Sequence, residues 1–465
     1  MIAICGTSMG SLAAMLKSKG YSVTGSDDNV YPPMSTFLKN QGIEIWDGYS
    51  EEHLKPAPDL VIIGNAMSRG NPEIEYVLDH KIPYTSSAVA LKDFFIMGKH
   101  SIVVAGTHGK TTTSSLISWV MEENRKQPSF MIGGIPVNFE QGFKLDEGSI
   151  FIVEGDEYDT AFFDKAAKFF HYLPDIVIIN NIEYDHADIY ESLDQIILAF
   201  RRLVNLVPRN GLFLAGIDDD KVKKLTQYAF SRVETFGLTP EADWCAKNIV
   251  YSANSTTFDV YFQDQYYARF SLPLSGDHNI RNALATIGTC HFHHIEPAGI
   301  QTAFSSFKNV KKRLEIKATI NDIIVYDDFA HHPTEVQTTI TGLRRQYPTR
   351  KIWAIFEPRT STAKRKVMEE PYSRAFDDAD MILIAPIHLP KKVTSDELLS
   401  IEHLIEKIKL RKKQAYHFNS VAEIVDFTTS QVNPGDLILI MSNGAFNGIH
   451  NLIIQKLTVK YHGEK

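Results

Sequence analysis

A glycine-rich turn, Gly106-Thr107-His108-Gly109-Lys110-Thr111-Thr112-Thr113, follows the aliphatic run Ser101-Ile102-Val103-Val104-Ala105 and precedes a helical stretch from about Ser114 to Glu123. Few folds accept such a turn between a buried strand and a helix. Glycines let backbone N–H groups approach an anion, and the start of a helix adds partial positive charge. In this setting Lys110 reaches the β- and γ-phosphates of a nucleotide and Thr111 ligates Mg²⁺. The spacing departs from the common GxxxxGK[ST] form, because two residues separate the glycines. A strand that ends in an anion-binding turn belongs in a parallel sheet, whose ligands gather at the carboxyl ends of its strands.

The rest of the chain agrees with that requirement. Its 465 residues suggest about three domains. Near the start, Ile2–Cys5 reads as a strand, followed by Gly6-Thr7-Ser8-Met9-Gly10 and a helical rhythm at Leu12, Ala13, Met15 and Leu16. Tyr21–Thr24 reads as a second strand ending at Gly25-Ser26-Asp27, and Leu60–Ile63 as a later one ending at Gly64-Asn65. Strands alternating with helices predict a parallel sheet, here a Rossmann-like domain over residues 1–97. The phosphate loop and the strands Ile150–Val153, Ile176–Ile179 and Gly211–Ala215 predict a central P-loop ATPase domain over 98–310. Within it, residues 245–273 alternate aromatic and β-branched positions, which predicts a small antiparallel sheet. Beyond the charged segment 308–317, alternation resumes and includes Ile382–Ile384, giving a C-terminal Rossmann-like α/β domain over 311–465. The fold class is therefore α/β in three domains.

Charge and composition exclude several functions. Lys and Arg total 48 against 56 Asp and Glu, a net charge of −8. The basic stretches Lys308–Arg313 and Lys407–Lys413 are short and read as a hinge or a solvated face. A nucleic-acid partner is not expected, since that needs clustered cations. Cys5, Cys245 and Cys290 are far apart and odd in number, so neither a disulfide framework nor a zinc site is expected, in keeping with a reducing cytoplasm. No apolar run reaches the ~18 residues that span a bilayer, and the opening MIAICGTSMG reads as strand and turn rather than a signal segment. Gly6-x-x-x-Gly10 is not the GxGxxG dinucleotide fingerprint, which makes a dehydrogenase the poorer reading.

Two further strand ends carry chemistry. Ile150–Val153 leads into Glu154, where a carboxylate beside a phosphate loop can hold Mg²⁺. Ile176–Ile179 leads into Asn180-Asn181 and then Asp185-His186. Two metal ions at such a place would neutralise phosphoryl charge and align attacker and leaving group. Read alone, GDHNIRNALA (276–285) is a capped helix start, DDFAHHP (327–333) a turn broken before proline, and Arg359 a surface arginine.

Taken in order, GTHGKTTT, the acidic strand end, Asn181…Asp185-His186, GDHNIRNALA and DDFAHHP resemble the Mur ligases, across essentially the whole chain. The segments VTGSDDNVYPPMST, IIGNAMSRGNPE, EGDEYDTAFFDK, FEPRTST and MSNGAFNGIH are similar to the branch of that family that recycles cell-wall peptide. The resemblance implies an ATP- and Mg²⁺-dependent ligase that activates a carboxylate as an acyl phosphate and joins it to an amine. Its partners would be UDP-N-acetylmuramate and the murein tripeptide L-alanyl-γ-D-glutamyl-meso-diaminopimelate. Gly106, Thr107, His108, Gly109, Lys110, Thr111 and Thr112 would hold the ATP phosphates. Thr111, Glu154 and His186 would be metal ligands. His278, Asn279 and Asn282 would meet the adenine end, and Arg313 and Asp328 would close over the nucleotide. His331 and Arg359 would face the incoming peptide or the reacting carboxylate. Gly6, Thr7, Gly10, Ser26, Asp27, Asn65 and Arg69 would face the UDP-sugar, with Gly133, Gly134 and Asn138 near its pyrophosphate or sugar, and Ser442, Asn443 and Gly444 near the peptide. Several Mur ligases bridge metal with a carbamylated lysine after the DH motif; the stretch AFRRLVNLV (199–207) has no lysine. Two alternatives stay open: addition of L-alanine to the same nucleotide sugar, and a nucleotide-binding regulator without ligase chemistry.

Overall fold

The computed structural model describes residues 1–187, 189–252, 255–387 and 398–463. Three sheets organise them, beside a small antiparallel pair of Asp159–Ala161 and Asp164–Ala167. In the first, Ile2 pairs in parallel with Ser26 on one side and Ile63 on the other. This joins the parallel pair Thr24–Asp27 and Glu44–Asp47 to the parallel pair Val61–Ile63 and Tyr84–Ser86. The expected strand Ile2–Cys5 is thus reduced to one bridging residue. Ala3 turns to a left-handed φ of 63°, and the Cys5 N–H donates to the Asp27 side-chain carboxylate at 2.9 Å instead of to a backbone carbonyl. Helix Thr7–Ser18 starts directly after Gly6.

The second sheet has ten strands, in the order Gln265–Leu272, Thr256–Phe262, Trp244–Tyr251, Arg232–Gly237, Leu212–Gly216, Ile176–Ile179, His100–Ala105, Ile150–Gly155, Ser129–Met131 and Phe143–Lys144. From Ser129–Met131 to Trp244–Tyr251 every pairing is parallel. The aromatic segment pairs antiparallel as expected, but it does not form a separate sheet. Phe236 and Gly237 pair with Trp244 and Cys245, so the antiparallel strands extend the parallel sheet at one edge. Trp244 anchors the junction: it is fully buried and its indole N–H donates to Glu234 at 2.7 Å. Beyond, Gln301 on helix Pro297–Ser306 donates to the Arg269 carbonyl of the outermost strand at 2.8 Å.

The third sheet runs Glu315–Ile320, Ile323–Asp328, Leu437–Met441, Ile352–Phe356, Met381–Ile384 and Gln414–His417. Its first pairing is antiparallel and the rest are parallel. Strands of uninterrupted apolar residues, such as Leu437–Met441, are what a sheet covered on both faces requires, and separate apolar clusters lie on its two sides. Leu12, Met15 and Leu91 share one apolar cluster with Phe151, Val153 and Phe169, which fixes the first sheet's layer against the second. All three cysteines are free, and among the described residues no helix is long and apolar enough to cross a membrane.

Phe213 sits at the middle of the ten-stranded sheet with no exposed surface. Phe213→Ala removes that packing at a cost of about 3–5 kcal/mol. We expect a clear fall in the denaturant midpoint of the central transition; an unchanged midpoint would contradict this placement of the core.

Candidate active site

Parallel register sets the site. Ala105 lies opposite Ile179 on one side and Gly155 on the other, so the chain leaves the sheet at three adjacent points. The middle exit is the phosphate loop. Its helix spans Lys110–Glu123, four residues longer at the front than the sequence pattern indicated, so Lys110 and Thr111 form its first turn. Gly106 and Gly109 adopt φ of 117° and 86°. A Cβ at Gly109 would lie 2.6 Å from Asn282 Oδ1 and 2.7 Å from Asn180 Nδ2, and one at Gly106 would lie 2.9 Å from the Asn181 carbonyl. Asn282 in turn accepts from Thr113 Oγ1 at 3.1 Å. The loop is therefore clasped between the Asn180-Asn181 exit and the helix Asp277–Phe292.

Glu154 stands at the second exit and accepts from the Gly133 N–H at 2.8 Å. Burial pushes its carboxyl upward in pKa, against the Gly133 bond, Lys110 and the Thr111 hydroxyl. Gly134 must be a glycine because a Cβ there would meet Thr111 Cγ2 at 2.7 Å. His186 stands at the third exit with a left-handed φ of 54°. Its Nε2 lies 3.0 Å from Glu157. Glu157 also accepts from Lys110 Nζ at 3.0 Å, while the same ammonium donates to the Gly106 and Thr107 carbonyls at 2.7 and 3.2 Å.

Two cavities meet at the loop. One, of about 670 Å³, is lined by His108, Gly109, Thr112, His278, Asn279, Asn282, Arg313 and Asp328. Burial lowers His278 to about 4, with Arg281 and Arg313 adding to the shift, so its imidazole is neutral. Burial also raises Asp328 to about 6; its carboxylate accepts from the N–H groups of Leu314 and Ala330 at 2.7 and 2.8 Å. The other cavity, of about 340 Å³, brings Thr107, Lys110, Thr111, Gly133, Glu154 and His186 together with His331, Arg313 and Asn443. Hydroxyl and carboxylate oxygens beside one imidazole are a donor set that suits a hard divalent cation, so Thr111, Glu154 and His186 fit Mg²⁺.

Other expected residues lie apart from these spaces. Arg359 does not line either cavity, although Thr360, Ser361 and Thr362 line the smaller one. The Arg359 guanidinium lies against Gly444, where a Cβ would come within 2.5 Å. Ser442 donates to the buried Glu357 at 2.5 Å. Asn138 uses its amide on the Ser306 carbonyl and the Lys308 N–H, at 2.9 and 2.7 Å. Of the N-terminal set, Gly6, Thr7, Gly10, Ser26, Asp27, Asn65 and Arg69 line neither cavity, whereas Ser8 lines the smaller one. Ser26 donates to Glu73 at 2.5 Å, Asp27 accepts from Cys5 and Asn29 at 2.9 Å each, and the exposed Arg69 pairs with Glu75.

The residues that sequence reasoning missed are acids that join elements. His108 of the loop lies 3.1 Å from Glu183 and 3.3 Å from Glu335, and Thr334 donates to Glu183 at 2.6 Å. Helix Pro333–Gln346, which carries Thr334 and Glu335, is thereby tied to the phosphate loop. The His332-Pro333-Thr334-Glu335 pattern signals a capped helix start, and the cap is present; nothing in the pattern signals that Glu335 also reaches His108. Glu157 carried no periodic signal, since it follows the strand Ile150–Gly155.

Profiles of known families match this chain along its length. One described as the Mur ligase family, catalytic domain, matches residues 1–97; the Mur ligase middle domain matches 104–290; and the Mur ligase, glutamate ligase domain, matches 312–444. The fold and the loop with its flanking acids define an ATP- and Mg²⁺-dependent amide-bond ligase, and the chain belongs to the Mur ligase family. It is 40% identical over 463 residues to the UDP-N-acetylmuramate–L-alanyl-γ-D-glutamyl-meso-2,6-diaminoheptandioate ligase of Escherichia coli, covering 99% of this chain and 98% of that one. The crystal structure of a murein peptide ligase from Psychrobacter arcticus superposes with a TM-score of 0.73 at 35% identity, covering 98% of both chains. The UDP-N-acetylmuramate–L-alanine ligase of Acetivibrio thermocellus is 34% identical, covering 95% of this chain and 92% of that one.

Burial alone would depress His108, but Glu183 and Glu335 overcome it and raise the imidazole to about 9. A group whose folded pKa lies above its unfolded value of about 6.5 stabilises the fold fully below that value. The contribution is lost as pH rises through 9. We expect the melting temperature to fall over pH 6.5–9.5, and His108→Gln to flatten that part of the profile. Equal slopes in both proteins would refute the pairing of His108 with Glu183 and Glu335.

Proposed function

We propose that this protein joins L-alanyl-γ-D-glutamyl-meso-diaminopimelate to UDP-N-acetylmuramate, with ATP as the activating reagent, as a cytoplasmic enzyme of murein peptide recycling. The observation that carries the reading is the smaller cavity, in which the phosphate loop, Glu154 and His186 share one space with His331 and Asn443. Likeness over nearly the full length of the E. coli ligase supports the choice of substrates. Residues 1–97, 98–310 and 311–465 serve as the nucleotide-sugar, ATP and peptide domains.

A carboxylate resists amine attack because resonance weakens its carbonyl as an electrophile. Transfer of the γ-phosphoryl group to the lactyl carboxylate gives a mixed anhydride; the deprotonated amine of the tripeptide then attacks, phosphate leaves, and an amide remains. Lys110 neutralises charge on the transferring group. Bound Mg²⁺, held by Thr111, Glu154 and His186, supplies further charge neutralisation. The adenine fits the larger cavity beside neutral His278, Asn279 and Asn282, with Arg313 and Asp328 over it. His331 orients the amine or the reacting carboxylate: its Nδ1 lies 3.2 Å from Glu335, and that carboxylate with Asp185 raises its pKa against burial. Arg359, with Ser442, Asn443 and Gly444, faces the distal peptide. Gly6, Thr7, Gly10, Ser26, Asp27, Asn65 and Arg69 face the UDP-sugar, and Gly133, Gly134 and Asn138 its pyrophosphate or sugar. For the residues that line one of the two cavities these roles rest on family likeness and location together; for Arg359, Ser442, Gly444, Gly134, Asn138 and the N-terminal set they rest on family likeness alone.

The test supplies Mg-ATP and UDP-N-acetylmuramate with either the tripeptide or L-alanine, and follows the amide by mass spectrometry with ADP and phosphate counted. We expect product from the tripeptide and little from alanine. Product from alanine alone would assign the sibling activity. Lys110→Ala should lower kcat on the order of 100- to 1,000-fold; wild-type turnover in that variant would remove Lys110 from the mechanism.

A further inference from the structure

Four carboxylates lie close to the loop lysine or to His186, and they differ in what neutralises them. Glu154 accepts from the Gly133 N–H. Asp156 pairs with Lys168 at 2.8 Å. Asp185 accepts from the His186 N–H at 2.7 Å. Glu157 is different. Its side chain is only 2% exposed, and its neutralising partners are Lys110 Nζ and His186 Nε2, both at 3.0 Å. Those two groups are the ones that, on the proposed function, a nucleotide phosphate and a divalent cation would claim. Glu157 is also held in place: Tyr190 donates to its backbone carbonyl at 2.7 Å, and the buried side chain has little room to swing into solvent.

We propose that Glu157 makes nucleotide entry depend on the divalent cation. When Lys110 turns to the phosphates, a desolvated carboxylate and a phosphate stand on either side of one ammonium. Like charges at that spacing repel strongly where water is scarce. A divalent cation arriving with the nucleotide would offset that repulsion by its own charge, with His186 turning from Glu157 to hold it. Without the cation, Glu157 keeps Lys110 and the phosphates are refused. The carboxylate is thus a positioning residue that couples the two ligands, and it holds Lys110 and His186 ready in their absence.

The inference rests on nucleotide binding at this loop, and calorimetric titration separates the two ideas. ADP and a non-hydrolysable ATP analogue are titrated into the full-length protein with Mg²⁺ and again with EDTA, in the absence of the other substrates. Tight binding by wild type with Mg²⁺ supports the loop as the nucleotide site; no binding in either buffer would sink that reading and this inference with it. Given binding, the ratio of affinities with and without Mg²⁺ reads the coupling. We expect Glu157→Gln to bind metal-free nucleotide about 10-fold tighter than wild type and to shrink the ratio by a similar factor, ~1.4 kcal/mol. A merely structural Glu157 would weaken binding in both buffers alike and leave the ratio unchanged, which overturns the proposal. Glu157→Asp keeps the charge and withdraws it by one methylene, so its ratio should fall between the two. Should Glu157→Gln not fold, a wild-type ratio in Glu157→Asp counts against the proposal on its own.

Discussion

Backbone hydrogen bonding in a parallel sheet decides which strand ends stand side by side, and here the phosphate loop and the acids beside it depend on one such decision. Ile179, Ala105 and Gly155 are in register across three strands. From that line the chain departs as the Asn180-Asn181 exit, the phosphate loop and the Glu154–Glu157 segment. A one-residue slip would exchange the faces of every side chain on the shifted strand, and the apolar runs 102–105, 150–153 and Ile176–Ile179 are buried on both sides.

The loop is then shaped by what surrounds it. Asn180 and Asn282 leave no space for a side chain at Gly109, and Thr111 leaves none at Gly134. Charge completes the arrangement. Lys110 is buried among carbonyls and carboxylates, and His108 couples the loop to a helix of the C-terminal sheet through Glu335. The phosphate loop and the helix Pro333–Gln346 are consequently parts of one electrostatic unit. Movement of the helix Pro333–Gln346 cannot leave the loop unaffected.

Much of this was legible in the sequence because it is local. The strand Ile176–Ile179 has the predicted bounds, and the turn after Ala105 and the acid at 154 follow from strand and turn chemistry. Local reasoning failed where tertiary contacts outvote it. Ile2–Cys5 has a strand's composition, yet Ala3 takes a left-handed turn and Cys5 bonds to a side chain. The aromatic strands 244–272 carry the alternation of an independent hairpin, and only the Phe236–Trp244 pairing shows that they continue a larger sheet. Glu157, Glu183 and Glu335 read as ordinary acids because their partners lie on other elements, and pairing across elements leaves no period in the chain.

The far margin of the ten-stranded sheet has a consequence of a different kind. An open β-edge invites strands from other molecules to add to it. At one end the sheet closes with the two-residue strand Phe143–Lys144. At the other, the eight-residue strand Gln265–Leu272 is overlain by the helix Pro297–Ser306, where Gln301 takes up a carbonyl that would otherwise face outward and Phe304 packs on Phe270 with ring centroids 5.8 Å apart. Loosening that helix would bare more of this edge to other chains, so its ten residues guard against templated aggregation.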